Sequence, residues 1–192
     1  MKASKKWRSI IVSIMLLICI LIILILSGIT FAKKMFPLSH KDIVLEYSTQ
    51  YNIDPYMVYA IIKAESNFRP EVMSEKKARG LMQIAEITGN WGSVELDIDD
   101  FDLMQLYDVD TNIKIGCWYI DRLYQEFGDC KNTVICAYNA GSGNVSKWLK
   151  NPVYTDDGCN LIPGNIPFPE TKKYLKKVEI FEQIYRYLYD EI

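Results

Sequence analysis

The sequence predicts a mainly α-helical protein, one domain behind a single apolar helix, and three observations carry that prediction. Residues 10–29, IIVSIMLLICILIILILSGI, hold no charge and are about the ~20 residues that a membrane-spanning helix requires. Beyond them, successive stretches place apolar side chains three and four residues apart, as on one face of a helix. Segments that alternate between apolar and polar side chains, the mark of a half-buried strand, are nearly absent. At 192 residues the chain is long enough for one domain with a core of its own.

The N-terminal run comes first. Lys2, Lys5, Lys6 and Arg8 precede it and Lys33 and Lys34 follow it. The bias of basic residues toward the inner side predicts a cytoplasmic segment over 1–9 and a single-pass anchor in the cytoplasmic membrane over 10–29. A linker over 30–38 and an extracytoplasmic domain over 39–192 follow. Thr30-Phe31-Ala32 has the small-x-small pattern of a cleavage site, but the run is longer than the roughly 7–15 residues of a signal-peptide core, which favours retention. Cys19 lies in mid-run rather than after it, against a lipoprotein signal.

Helices are expected in order along the rest. Ser39-His40-Lys41-Asp42 resembles a capping box that opens a helix with Ile43, Tyr47 and Tyr51 on one side. Asp54-Pro55 restarts it, Asp as N-cap and Pro at the first helical position. This second helix should stop before Pro70, because proline disfavours helical geometry in the residue ahead of it. Residues 110–127 carry Ile113, Cys117, Ile120, Tyr124 and Phe127 at helical spacing. A short helix is expected over 132–139, broken by Gly141 and Gly143, and a last one over 170–189 with Tyr174, Val178, Phe181, Tyr185 and Leu188 on one face. Two long connections remain: the acidic stretch 94–110, which lacks the glycine and terminal glutamate of a calcium loop, and the Pro-, Gly- and Asn-rich stretch 151–169.

Charge and cysteine content exclude several functions. Beyond residue 32 lie all 24 acidic residues and 18 of the 22 basic ones, a net of −6. No basic stripe for nucleic acid is present, and Lys172-Lys173 and Lys176-Lys177 suit a solvated helix face. Cys117, Cys130, Cys136 and Cys159 permit two disulfides in three pairings, and an exported domain favours at least one bond. Cys136, in the apolar run TVICAY, equally suits a small buried hydrophobe. No CxxC pair occurs and His40 is the single histidine, so neither a zinc site nor a Ser-His-Asp triad is expected.

One residue breaks the apolar pattern. Val58, Ile61 and Ile62 share a helix face, and the next position on that face is Glu65, in the motif AESNF. Burial disfavours its anion, and so does the negative end of the helix dipole in a last turn. Both push its pKa upward, toward a carboxyl that keeps its proton near neutrality, as a general acid must. A glutamate paired with a lysine at a helix end is the ordinary alternative.

Downstream follow Ser74, then Gly80-Leu81-Met82-Gln83, then Ala137-Tyr138-Asn139-Ala140-Gly141, then Glu170-Thr171-Lys172-Lys173-Tyr174. In this order, from about Asp42 to Tyr187, they resemble the soluble lytic transglycosylase (SLT) family of lysozyme-like enzymes that cleave bacterial peptidoglycan. The resemblance implies a lysozyme-like fold for the domain behind the transmembrane helix. It also implies Glu65 as the catalytic acid and base, Ser74 as a hydroxyl assisting at the sugar next to the cut, and Gln83 as the amide of the GLMQ element. It further implies Tyr138 as a hydroxyl touching the catalytic carboxyl, Asn139 as an amide beside it, and Tyr174 as the tyrosine of the fourth motif. Alone, Met82, Tyr138 and Tyr174 would read as core, as would Trp118 on its periodic helix. Trp91 and Trp148 are candidates for stacking on sugars. Lys77 stands where the family often has glycine, and IAEITGN replaces the usual proline-containing stretch after Gln83. Both departures touch loops beside the cleft.

The resemblance implies cleavage of the β-1,4 bond between N-acetylmuramic acid and N-acetylglucosamine in peptidoglycan glycan strands, with 1,6-anhydro-muramic acid ends and no cofactor or metal. Two other functions remain. A goose-type lysozyme-like hydrolase would need Glu86, Glu95, Asp97 or Asp99 to hold a water, and a silent glycan-binding module of an envelope assembly would have no use for a buried acid at position 65.

Overall fold

The computed structural model describes residues 2–190, and of the side chains of residues 2–6, 8 and 9 nothing is described. The basic residues Lys2, Lys5, Lys6 and Arg8, on which the expected orientation rests, lie outside the described side chains. The chain divides into two units, one ending at Pro37 and one beginning at Leu38.

The first unit is helix α1, Lys2–Met35. Its stretch Ile10–Met35 is the one helix among the described residues long and apolar enough to cross a membrane. Most of the segment expected as a linker therefore continues this helix.

The second unit contains seven α-helices among the described residues: α2 (Lys41–Gln50), α3 (Pro55–Glu65), α4 (Glu86–Glu95), α5 (Val109–Phe127), α6 (Lys131–Ala140), α7 (Ser142–Trp148) and α8 (Pro169–Leu188). Strand pairing among the described residues is limited to three isolated bridges. Helix α3 is the core. Met57, Val58, Tyr59, Ala60, Ile61 and Ile62 are all fully buried, the signature of a helix wrapped on every side. It packs along α8, which also meets α6; α5 lies against α2, α4 and α6.

Local chemistry explains why α3 starts and stops where it does. The Asp54 carboxylate accepts the Tyr56 N–H at 3.0 Å and Pro55 holds the first helical position, as the sequence predicts. Arg186 of α8 forms an ion pair with the same Asp54, joining the start of α3 to the end of α8. After Glu65 the chain turns sharply. Asn67 and Phe68 both take left-handed backbone angles, φ 54° and 62°, a conformation that is strained for a bulky side chain. Lys63 Nζ donates to Asn67 Oδ1 at 2.5 Å and holds the turn.

The observed elements differ from expectation in five places. His40, with φ 59° and no side-chain cap, is the N-cap of α2, so no capping box forms at Ser39–Asp42. The buried face of α2 is Val44, Tyr47 and Ser48, one step round from the expected stripe, and Ile43 is half-buried. Helix α4 lies in a stretch with no helical signal, since Gly89, Gly92, Thr88 and Asn90 are weak helix formers; packing against α5 holds it in place. The acidic connection contains a 3-10 turn at Leu103–Tyr107 with a full capping box, Asp102 and Gln105. Gly141 ends α6 as expected, whereas Gly143 sits inside α7.

A disulfide joins Cys130 and Cys159, with Cα atoms 5.7 Å apart, and Cys117 and Cys136 are buried thiols. The bond pins the 151–168 connection to the start of α6. Thr133 adds to it, its hydroxyl donating to the Cys159 carbonyl at 2.5 Å and accepting the Leu161 N–H at 3.1 Å.

Candidate active site

Glu65 ends α3 and borders a cleft of about 430 Å³ that Ser74, Gln83, Tyr138 and Asn139 also line. Five of the six residues singled out in the sequence thus come together around one hollow. Tyr174, the sixth, lies behind it.

Burial pushes the Glu65 carboxyl up to about 7 from its ordinary 4.5; the Tyr174 hydroxyl and the nearby Lys177 charge pull it down, and Glu170 pushes it up. Lys177 is set by its own bond, Nζ donating to the Ala64 carbonyl at 2.7 Å. It therefore both caps the exposed end of α3 and places positive charge beside the carboxyl. Of the two causes read from the sequence, burial of the helix face and the helix dipole, burial is the one that raises it here.

The two tyrosines differ in what their hydroxyls can do. Tyr138 donates to the Met82 carbonyl at 2.8 Å, which commits its proton and leaves its lone pairs. The Tyr174 hydroxyl is buried and makes no hydrogen bond of good geometry among the described residues, but it reaches the Glu65 carboxyl and stabilises its anion. The resemblance implied that Tyr138 gives the hydroxyl contact to the acid. In the structure the Met82 carbonyl holds the Tyr138 proton, and the Tyr174 hydroxyl also lies within reach of the acid.

The loop carrying Gly80–Gln83 owes its shape to Asn112, a fully buried residue of α5. Its amide accepts the Met82 N–H at 2.7 Å and donates to the Arg79 and Leu106 carbonyls at 2.9 and 2.7 Å. Gly80 has φ +79°, and a Cβ there would overlap the Leu106 carbonyl and the Asn112 amide, so glycine alone fits. A Cβ at Gly116 would overlap Met82 Sδ in the same way. Gln83, with φ 50°, turns its amide NH2 back to the Val72 and Gly80 carbonyls, both at 3.0 Å.

Ser74 Oγ accepts the Ala78 N–H at 3.1 Å, which leaves the hydroxyl proton to be donated into the cleft. Asn139 Oδ1 accepts from Thr171 Oγ1 at 2.8 Å, which orients the amide so that its NH2 remains as donor. Asn112 and Thr171 went unmarked in the sequence. Their signals were faint: a polar residue on a periodic helix face, and a threonine within the fourth motif.

The cleft also holds acids that the sequence did not single out. Glu75 and Glu170 line it, whereas Glu86, Glu95, Asp97 and Asp99 do not. Glu170 is exposed and pairs with Lys76 at 3.6 Å, both residues lying on the cleft wall. Trp118 is core, 5% exposed, and Trp148 is buried against Phe168. Trp91 is half open to solvent at 42%.

The site carries one deep carboxyl near neutral pKa, hydroxyl and amide donors around it, and an open trough on one side, which suits proton donation to a polar polymer. The transglycosylase SLT domain family matches residues 42–157. The chain is 36% identical over 156 residues to the soluble lytic murein transglycosylase of Escherichia coli strain K12, covering 81% of this chain and 24% of that protein. It is 30% identical over 181 residues to the membrane-bound lytic murein transglycosylase C of Edwardsiella ictaluri, covering 77% of this chain and 47% of that one. The crystal structure of the 70 kDa soluble lytic transglycosylase from Escherichia coli superposes with a TM-score of 0.73 at 34% identity, over 81% of this chain and 25% of that one. The chain thus spans about a quarter to a half of the length of these relatives.

Proposed function

This chain belongs to the transglycosylase SLT domain family, and on that premise we propose that it is a membrane-anchored peptidoglycan lytic transglycosylase. It would cleave the β-1,4 bond between N-acetylmuramic acid and N-acetylglucosamine and leave 1,6-anhydro-muramic acid ends. The observation that carries this proposal is Glu65, a cleft carboxyl held protonated up to about pH 7. The lytic murein transglycosylases named above support the substrate class.

The side chains divide the work as follows. Glu65 protonates the glycosidic oxygen as the bond to C1 breaks, and the substrate's acetamido group shares the positive charge left at C1. The Glu65 carboxylate so formed is stabilised by Tyr174 and Lys177, the two groups that already favour its anion. It then takes the proton from the C6 hydroxyl, which closes onto C1 and restores the acid. Holding that hydroxyl near C1 replaces a bound water, a proximity effect. Ser74 and Asn139 each point a free donor at the sugars, and Gln83 and Tyr138 shape the wall. Anchoring rests on α1 together with the membrane-bound relative, with the N-terminus in the cytoplasm and the domain outside.

One observation favours a second reading, hydrolysis of the goose-type lysozyme kind: Glu75 and Glu170 stand in the same cleft and either could in principle hold a water. One digestion separates the two. Purified peptidoglycan is treated with the full chain and the products are weighed before and after borohydride. An anhydro end is about 18 Da lighter than a hydrolysed one, since no water is added, and it resists reduction. Only reducible ends would establish the hydrolase, and no release from several peptidoglycan types by folded protein would leave a glycan-binding module.

A further inference from the structure

Beside the cleft lies a larger hollow of about 640 Å³, walled by Ile87 and Trp91 of α4, Tyr119 and Arg122 of α5, and Gly141 and Ser142 where α6 meets α7. The two hollows adjoin through shared structure. Ser142 follows Asn139 by three residues, and the Tyr119 ring packs on the cleft residue Tyr138 with centroids 5.6 Å apart.

The chemistry of this hollow is distinct. Trp91 is a large aromatic left 42% exposed, with its ring packed edge-on against the buried Trp118, centroids 4.8 Å apart. The Arg122 guanidinium lies over the same ring at 5.6 Å. One of its terminal nitrogens donates to Gln125 Oε1 at 2.8 Å. Its Nε is buried and has no acceptor among the described residues. Leaving a charged donor buried without an acceptor is costly, and a planar guanidinium matches a carboxylate better than any other acceptor. Glu126, the acid in the wall of this hollow, accepts instead from Ser146.

The geometry points to Arg122 as a specificity-determining residue that receives a carboxylate carried by a muramic acid residue away from the scissile bond, with Trp91 as the stacking face for that sugar. This assignment rests on the proposal that the chain acts on peptidoglycan. Glycan strands offer two such carboxylates: that of the lactyl ether where the peptide stem has been removed, and those of the stem where it is kept.

Binding is measured on the full chain in detergent, carrying Glu65→Gln so that no probe is consumed. Three probes are compared: stem-free strands, the same strands with the lactyl carboxyls converted to methyl amides, and stem-bearing strands. With Arg122 intact, at least one acidic probe should bind roughly 10- to 100-fold more tightly than the amidated one, the range for a charge-assisted hydrogen bond. Arg122→Leu should erase that preference and leave the affinity for the amidated strand as it was, which also reports that the variant is folded. Arg122→Gln, which keeps polar bulk without charge, should behave alike. Whichever acidic probe loses the preference identifies the source of the carboxylate. Absence of any preference with Arg122 intact, or a preference that survives in both variants, overturns the assignment. The parent proposal is judged separately, by turnover with Glu65 present: failure to release muropeptides defeats that proposal, whereas turnover with binding indifferent to Arg122 defeats only this one.

Discussion

At the scale of single residues, Glu65 is asked to give a proton and take one back, so its amide analogue should retain shape and lose function. Glu65→Gln is expected to lower turnover by at least 100- to 10,000-fold, the usual worth of general acid–base catalysis, with circular dichroism unchanged. Stability should move the other way. The folded pKa of Glu65 lies near 7 and the unfolded one near 4.5, so the unfolded chain releases this proton more readily between those values. The carboxyl therefore destabilises the fold as pH rises through that window, by about 3 kcal/mol above pH 7. In urea titrations Glu65→Gln should equal the parent below about pH 4.5 and exceed it above pH 7. A parent more stable than the variant at pH 8 would contradict the buried-acid account. The alkaline limb of the pH–rate profile should follow the same group. Tyr174→Phe and Lys177→Met each remove an influence that lowers its pKa and should move that limb to higher pH, whereas Glu170→Gln should move it lower.

At the scale of elements, the wall of the cleft is a loop held by one side chain. Asn112 makes three hydrogen bonds to the backbone around Arg79, Met82 and Leu106. Replacing it with alanine leaves buried peptide groups unpaired, at roughly 1–3 kcal/mol for each group so stranded. Asn112→Ala should unfold at lower urea and should lose more activity than its residual folded fraction accounts for, because Gln83 and the carbonyl that anchors Tyr138 move with the loop. Activity that tracks the folded fraction alone would reduce Asn112 to a packing residue. The long connection before α8 is secured differently, by the Cys130–Cys159 bond across 29 residues of sequence. Closing a loop of that size is worth roughly 2–4 kcal/mol. In denaturant, alkylation should find three thiols, Cys19, Cys117 and Cys136, and all five after reduction. Five without reductant would show that the bond does not form.

At the scale of the whole molecule, α1 and the domain from Leu38 are separate units. α1 exposes a continuous apolar surface from Ile10 to Leu26, which is costly in water and matches the thickness of a bilayer. The protein should sediment with membranes and resist extraction by high salt, and protease added outside intact protoplasts should remove the domain and spare a short N-terminal fragment. A soluble form beginning near Lys33 would show instead that the segment is cleaved.

Much of this was legible in one dimension, and the reason is periodicity. Helix faces repeat every three to four residues, so α3, α5 and α8 declared themselves, and Glu65 stood out because it broke a face that was otherwise apolar. Asp54-Pro55 worked as a start signal because capping depends on neighbouring atoms alone. The apolar run needed only its length. What the sequence left undecided was set by contacts between distant residues. Helix α4 has weak local propensity and exists through its packing on α5. The disulfide partners were one choice of several until the fold brought Cys130 beside Cys159. The proton of Tyr138 belongs to a carbonyl 56 residues away, and Tyr174 comes within reach of Glu65 from the other end of the chain. Glu75 and Glu170 line the cleft, rather than any of the four acids that a hydrolase would have drawn on, for the same reason. Local rules determined which segments are helical and which acid is out of place; the tertiary structure decided what surrounds that acid, because burial and hydrogen bonding depend on neighbours in space rather than in sequence.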